Sequence, residues 1–157
     1  MTTDDNSENA QSGLQRLHGM IADAAELAPL HRTLKMTVIE AERGRTRWRG
    51  TPDAAHLNVH GGVHGGWIAA LLDSAMGTAV LSLMPPGGRY TTIEIKLNYL
   101  RPITADTEGI EAEGRVVNSG RTLAYCEGKV TDARGKLLAA GTATQMLFLP
   151  GNDGANA

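Results

Sequence analysis

The sequence predicts an α+β chain in which one curved antiparallel sheet wraps around a single, very hydrophobic helix. Three observations carry that expectation. Residues 67–84 form an apolar, small-residue run, and between Gly65 and Gly88 the only charge is Asp73. After Gly88 the chain alternates with a period of two, as in "YTTIEIKLNYL". The segments run strand, strand, helix and then four strands, an order that one sheet around one helix satisfies.

Taken in order, the elements begin after a polar, acidic stretch, "MTTDDNSENAQSG", which lacks the hydrophobic core of a secretory or transit peptide. Residues 1–12 and 150–157 are expected to be disordered tails around a single domain at 13–149, within a chain of 157 residues. In "GLQRLHGMIADAA", Leu14, Leu17, Ile21 and Ala24 fall near helical spacing and predict a short amphipathic helix. Alternation from Leu34 through Met36 and Val38 predicts a strand, and a polar strand around Trp48 follows a turn at Gly44. The glycine-rich stretch 60–66 leads into the apolar helix, which "PPGG" at 85–88 ends. In the next strand Ile93, Ile95, Leu97 and Tyr99 are expected on one face and Thr92, Glu94, Lys96 and Asn98 on the other. Three more strands follow, with hairpin turns at Ser119-Gly120 and Arg134-Gly135.

Composition narrows the function. Apolar residues make up 41% and charged residues 20%, and a formal net charge of -2 with both signs scattered offers no basic face for nucleic acid. The single cysteine, Cys126, cannot form an internal disulfide; it fits a reducing, cytoplasmic compartment and reads as a packing residue. Residues 67–84 are barely long enough to span a bilayer, and Asp73 at a helix centre would add roughly 2.5–3.5 kcal/mol to insertion. A buried helix in a chain without membrane contact is the expectation. No cysteine and histidine cluster has zinc spacing, and no phosphate-binding loop of the glycine-lysine-serine type is present, so neither metal nor cofactor is expected.

The chemistry concentrates in "HLNVHGGVHGGWIAALLDSAMG" at 56–77. Glycines at a helix entrance permit close approach to the backbone, and the first helical N–H groups lack intrahelical partners. They sit at the positive end of the helix dipole, where an oxygen gaining negative charge is stabilised. A plain packing turn would look the same. Asp73 likewise has two readings: a carboxylate satisfied by local donors or facing a subunit interface, or a base whose basicity is raised by desolvation. His64 and Asp73 are nine residues apart, roughly 13 Å along one helix. If both act on one carbonyl, they must come from different subunits, so activity would require an oligomer.

The segments "HGGWIAALLDSAMG", "YTTIEIKLNYLRPI" and "VNSGRTLAYCEGKVTDARGKLLAAGTAT" resemble the hotdog-fold acyl-CoA thioesterases of the phenylacetate-pathway (PaaI-like) branch, over roughly residues 55–148. The resemblance implies a central helix inside a curved sheet, and protomers that pair as a homodimer, two of which form a homotetramer. It implies that Asn58 and His64 shape the site and that the Gly65 amide polarises the thioester carbonyl. Asp73 of the partner subunit would serve as general base or nucleophile, with Thr92 (Thr91 beside it) holding the attacking water. Gly66, Trp67, Gly120 and Arg121 are the candidate substrate-binding residues, with Arg101 a weaker candidate for CoA phosphates. The extra His60 is read as a loop residue, because only His64 has the right offset from Asp73. The expected substrate is an acyl-CoA. Two alternatives share the fold. A hotdog hydratase would need an acid and histidine pair that "PDAAH" does not reproduce. A non-catalytic acyl-CoA sensor with a DNA-binding helix pair would need more than the one helix expected before residue 30.

Overall fold

The computed structural model of the chain describes residues 10–151, so most of both expected tails lies outside the described residues. Helix α1 (Gly13–Ala22) starts at a capping box in which Ser12 Oγ accepts the Gln15 N–H and Gln15 Oε1 accepts the Ser12 N–H. It ends two residues before the expected Ala24. Asp23 caps a 3₁₀ turn (Ala24–Glu26), and Pro29 then starts a five-residue helix, α2 (Pro29–Thr33), that alternation did not reveal.

Strands β1 (Met36–Glu42) and β2 (Arg45–Gly50) form the expected hairpin. After the glycine-rich loop come α3 (Gly65–Leu81), β3 (Arg89–Tyr99), β4 (Ile110–Ser119), β5 (Leu123–Thr131) and β6 (Leu137–Phe148). All six strands join one antiparallel sheet in the order β1-β2-β4-β5-β6-β3, curved around α3. Strand β3 therefore forms one edge, opposite β1.

Helix α3 is apolar nearly all round, the pattern of a buried helix rather than an amphipathic one. Trp67, Ile68, Leu71, Leu72 and every residue from Ala75 to Leu81 are buried. Shortening Leu71 or Leu72 to alanine would cost about 2–5 kcal/mol, from lost transfer energy and the cavity left behind. Gly114 and Gly128, paired in register across β4 and β5, let the helix approach the sheet closely, while Gly141, next in the row on β6, makes room for Leu97 of β3. A Cβ on Gly114 would stand 2.3 Å from the Ala75 backbone, and one on Gly128 would stand 2.9 Å from Met76. On β2 the same row holds Thr46, whose hydroxyl donates to the Ala75 carbonyl at 2.8 Å.

One stripe of α3 stays only partly covered: Gly66, Ala69, Ala70, Asp73 and Ser74. The lone charge of the helix is thus half-buried on an open face, and the penalty of sealing a carboxylate among leucines does not arise. Ser74 is partly covered by α2, where His31 Nε2 lies 3.1 Å from Ser74 Oγ, and burial pushes the His31 imidazole below its usual range.

Strand β3 departs from the strict alternation expected of it. Thr92 pairs with Gln145 but Glu94 pairs with Thr144, so Ile93 is an extra residue in a bulge. Upstream, Tyr90 and Thr92 face the helix; downstream, Leu97 and Tyr99 do. Ile93 is 50% exposed rather than aligned with the apolar face, and Thr92 turns inward instead of joining Glu94 and Lys96 on the polar one. Cys126 is fully buried on β5 and burial pushes its thiol up to about 12, as suits a packing residue. Among the described residues no helix is long and apolar enough to cross a membrane.

Candidate active site

The first half of the site is the entrance to α3. Leu57 and Val63 bridge the base of a tight loop, with the Asn58 N–H donating to the Gly62 carbonyl at 2.8 Å. Asn58 Oδ1 accepts the N–H groups of His60 and Gly62 at 2.8 and 3.3 Å, so Asn58 sets the shape of the loop. His60 is exposed in that loop. His64 is the N-cap of α3: its Nδ1 accepts the Gly66 N–H at 2.8 Å, which leaves the neutral ring's proton on Nε2. The His64 carbonyl accepts from Trp67 at 3.0 Å. The Gly65 N–H has no partner among the described residues and stands at the positive end of the helix. Tyr99 donates to the Gly65 carbonyl at 3.0 Å and packs on the glycine, where a Cβ would come within 3.2 Å of its ring.

A cleft of about 340 Å³ opens at this end, and its lining includes Asn58, Gly65, Ile68, Tyr99 and Arg101. A larger depression of about 490 Å³ lies on the outer face of the sheet. Four of its five charged groups are paired with one another, Arg115 with Glu127 at 2.8 Å and Lys129 with Glu113 at 3.4 Å, the fifth being Lys96, and no candidate site residue reaches it. The cleft beside Gly65 has the better claim.

The second half lies two turns along α3. Thr92 Oγ1 donates to Asp73 Oδ1 at 2.8 Å, a contact made possible by the bulge at Ile93. The same hydroxyl lies 2.8 Å from Oε1 of Gln145, a fully buried residue on β6 that sequence reasoning missed. Its signal was there: in "AGTATQMLF" a period of two puts Gln145 on the same face as Ala143 and Leu147, a polar side chain at an inward position. Tyr90 packs on Gly77 nearby; its phenol is pushed up to about 12, first by burial and then by the negative charge of Asp73.

Other expected substrate-binding residues lie apart from the cleft or are already engaged. Trp67 is core: its ring lies on Gly50 and its indole N–H donates to the Leu34 carbonyl at 2.9 Å. Ile68 and Tyr99 line the cleft where Trp67 was expected. The Gly66 N–H is taken by His64. Gly120 and Arg121 are exposed in the β4–β5 turn, which by register adjoins the Thr91–Met146 pair at the Asp73 end. Gly65 and Asp73 stand eight residues apart, about 12 Å along the axis, too far to act on one carbonyl. A single chain therefore presents two separate candidate half-sites. Among the described residues no histidine, cysteine and carboxylate cluster could hold a metal.

Residues 60–139 match the family described as the thioesterase superfamily. A Halobacterium salinarum protein that carries an esterase name is 36% identical over 100 residues, 60% of this chain and 64% of that protein, slightly under two thirds of its length. Mouse acyl-coenzyme A thioesterase 13 is 28% identical over 114 residues, covering 72% of this chain and 80% of that protein. The solved structure of a phenylacetic acid degradation-related protein from Ralstonia eutropha is similar with a TM-score of 0.74 and 27% identity, covering 83% of this chain and 98% of that one.

Proposed function

This chain belongs to the thioesterase superfamily and has its hotdog fold, and from that premise we propose that it hydrolyses an acyl-CoA thioester to a free carboxylic acid and CoA. The observation that carries this reading is the unpartnered Gly65 N–H at the head of α3. The likeness to an acyl-coenzyme A thioesterase supports the choice of thioester.

In this reading the thioester oxygen lies on the Gly65 N–H, which with the helix dipole stabilises the oxyanion of the tetrahedral intermediate. Asp73 of a second protomer takes a proton from water as the water oxygen attacks the carbonyl carbon. Collapse of the intermediate breaks the C–S bond, and the thiolate takes up the proton held by Asp73. Asp73 can instead attack directly and form a mixed anhydride, which water then opens. After a single turnover in ¹⁸O-water, label in Asp73 identifies an anhydride opened at the aspartyl carbon; an anhydride opened at the acyl carbon labels only the product acid, as direct water attack does, and is identified by trapping with hydroxylamine. Residues 13–149 form the catalytic domain, and a homodimer is its smallest active unit. The bare edge of β3 and the open stripe of α3 beside it support pairing there.

The test is a panel of acetyl-, hexanoyl-, benzoyl- and phenylacetyl-CoA with detection of the released thiol. Release from at least one above the rate without enzyme is expected. Saturable binding without thiol release from any of them would replace hydrolysis with acyl-CoA sensing.

A further inference from the structure

We propose that Gln145 is a positioning residue whose amide commits the Thr92 proton to Asp73. This rests on the reading of Asp73 as the reacting carboxylate. The Thr92 hydroxyl has one proton but stands 2.8 Å from two acceptors, Asp73 Oδ1 and Gln145 Oε1. It cannot donate to both. At the other end of the same amide, Gln145 Nε2 is sealed from solvent with no hydrogen-bond partner. Thr92 is the one side-chain partner Gln145 has among the described residues.

Turning the carboxamide end for end removes the first conflict and eases the second. Nε2–H then donates to Thr92 Oγ1, and Thr92 donates to Asp73 Oδ1. A buried carbonyl oxygen is left without a partner instead of an NH₂ group, the less costly orphan of the two. A lone threonine hydroxyl would be free to rotate toward water or backbone. With a donor fixed on its lone pair, its proton is held toward the carboxylate, and each bond in the chain polarises the next. Asp73 Oδ1 is thereby anchored, which leaves Oδ2 to meet water or the carbonyl carbon. The ionisable neighbours do not compete: Tyr90 feels Asp73, while Arg16 of α1 and Cys126 of β5 act on Tyr90 in turn. The Tyr90 and Cys126 side chains are each pushed to about 12, so neither titrates where a carboxylate does.

The experiment measures kcat, KM and pH profiles of Gln145→Leu and Gln145→Glu on whichever CoA ester of the panel turns over fastest, with Asp73→Asn alongside. Gln145→Leu should lower kcat about three- to tenfold at unchanged KM. It should also move the acidic limb of kcat up by about half to one pH unit, because Asp73 loses a firmly held donor. Gln145→Glu matches the shape but offers no donor once ionised: burial beside Asp73 keeps it protonated and donating at low pH, so its kcat should hold there and fall below the leucine variant's as pH rises and the glutamate ionises. If Gln145 instead accepts from Thr92, removing it frees that proton for Asp73. The acidic limb would then stay or move down with kcat unchanged, and the proposal would be overturned. Full activity in Gln145→Glu across the whole pH profile, the alkaline end included, would overturn it as well. Melting curves show whether each variant folds, and the near-isosteric glutamate carries the test if the leucine variant does not. An active Asp73→Asn enzyme would sink the reading of Asp73 itself; an inactive one beside an unaffected Gln145→Leu sinks only the relay.

Discussion

At Gly65 the half-site is made of backbone, and at Asp73 it is made of side chains. The donor at the first is a peptide N–H left free because His64 caps the next one, and Tyr99 and the Asn58 loop hold the peptide in place. At the second, a carboxylate on the open stripe of α3 is held by a hydroxyl from β3 that lies against an amide from β6. The difference teaches where substitutions should bite. A backbone donor survives changes to its neighbours and fails only when the loop or cap moves, whereas a side-chain group can be removed outright at one position.

Asp73→Asn should therefore have the largest effect. It keeps the shape and an oxygen for Thr92 to donate to, but removes the base, and general-base contributions are about 10²–10⁴-fold. The turnover number of the purified, folded variant should fall within or below that range. More than about a tenth of wild-type activity would remove Asp73 from the mechanism.

The comparison is sharpened by mixing. Gly65→Val blocks the backbone half by driving a side chain into Tyr99, and Asp73→Asn blocks the other half. Each homodimer should be inactive, yet random exchange makes about half the dimers mixed, each with one intact site. Roughly a quarter of wild-type activity should return. Native mass spectrometry would verify exchange and circular dichroism the folding of both variants. Verified mixed dimers with no recovered activity would place the whole site within one chain.

The smallest effect separates the two histidines of the loop. His64→Ala loses the N-cap, worth about 0.5–2 kcal/mol of helix stability, and unpins the Gly65–Gly66 peptide that follows the donor. We expect a drop in kcat of about tenfold or more, whereas His60→Ala should stay within about twofold, since His60 contributes only a backbone N–H to the loop. Equal losses would shift the register of the site by one triplet.

Much of the architecture was legible because it follows from two coarse signals: an apolar run too uniform for an amphipathic helix, and a period-two pattern after Gly88. His64, Gly65 and Asp73 stood out as types of residue at a spacing, and Asn58 through the family resemblance; their part in catalysis is the proposal made above. What alternation could not reveal was the extra residue at Ile93, since a bulge changes which face a side chain takes without changing the composition of the strand. The inward turn of Thr92 was lost for that reason. Trp67 had two readings, packing and pocket wall, and position next to the glycines could not choose between them; Gly50 leaves room for its ring, and the residue packs. Gln145 escaped notice because its strand was read as a whole and not position by position.

The bulge has a further consequence. It makes β3 two short strands in series, coupled end to end but independent in phase. The upstream piece, with Tyr90 and Thr92, serves the carboxylate; the downstream piece, with Leu97 and Tyr99, serves packing and the helix entrance. In an uninterrupted strand, adding or losing a residue on either side would invert both duties together. Here one surplus residue acts as a clutch: each segment can be re-tuned for its own task while the other keeps its setting. Deleting Ile93 would engage the two again, so that when one points inward as it now does, the other is forced to point out.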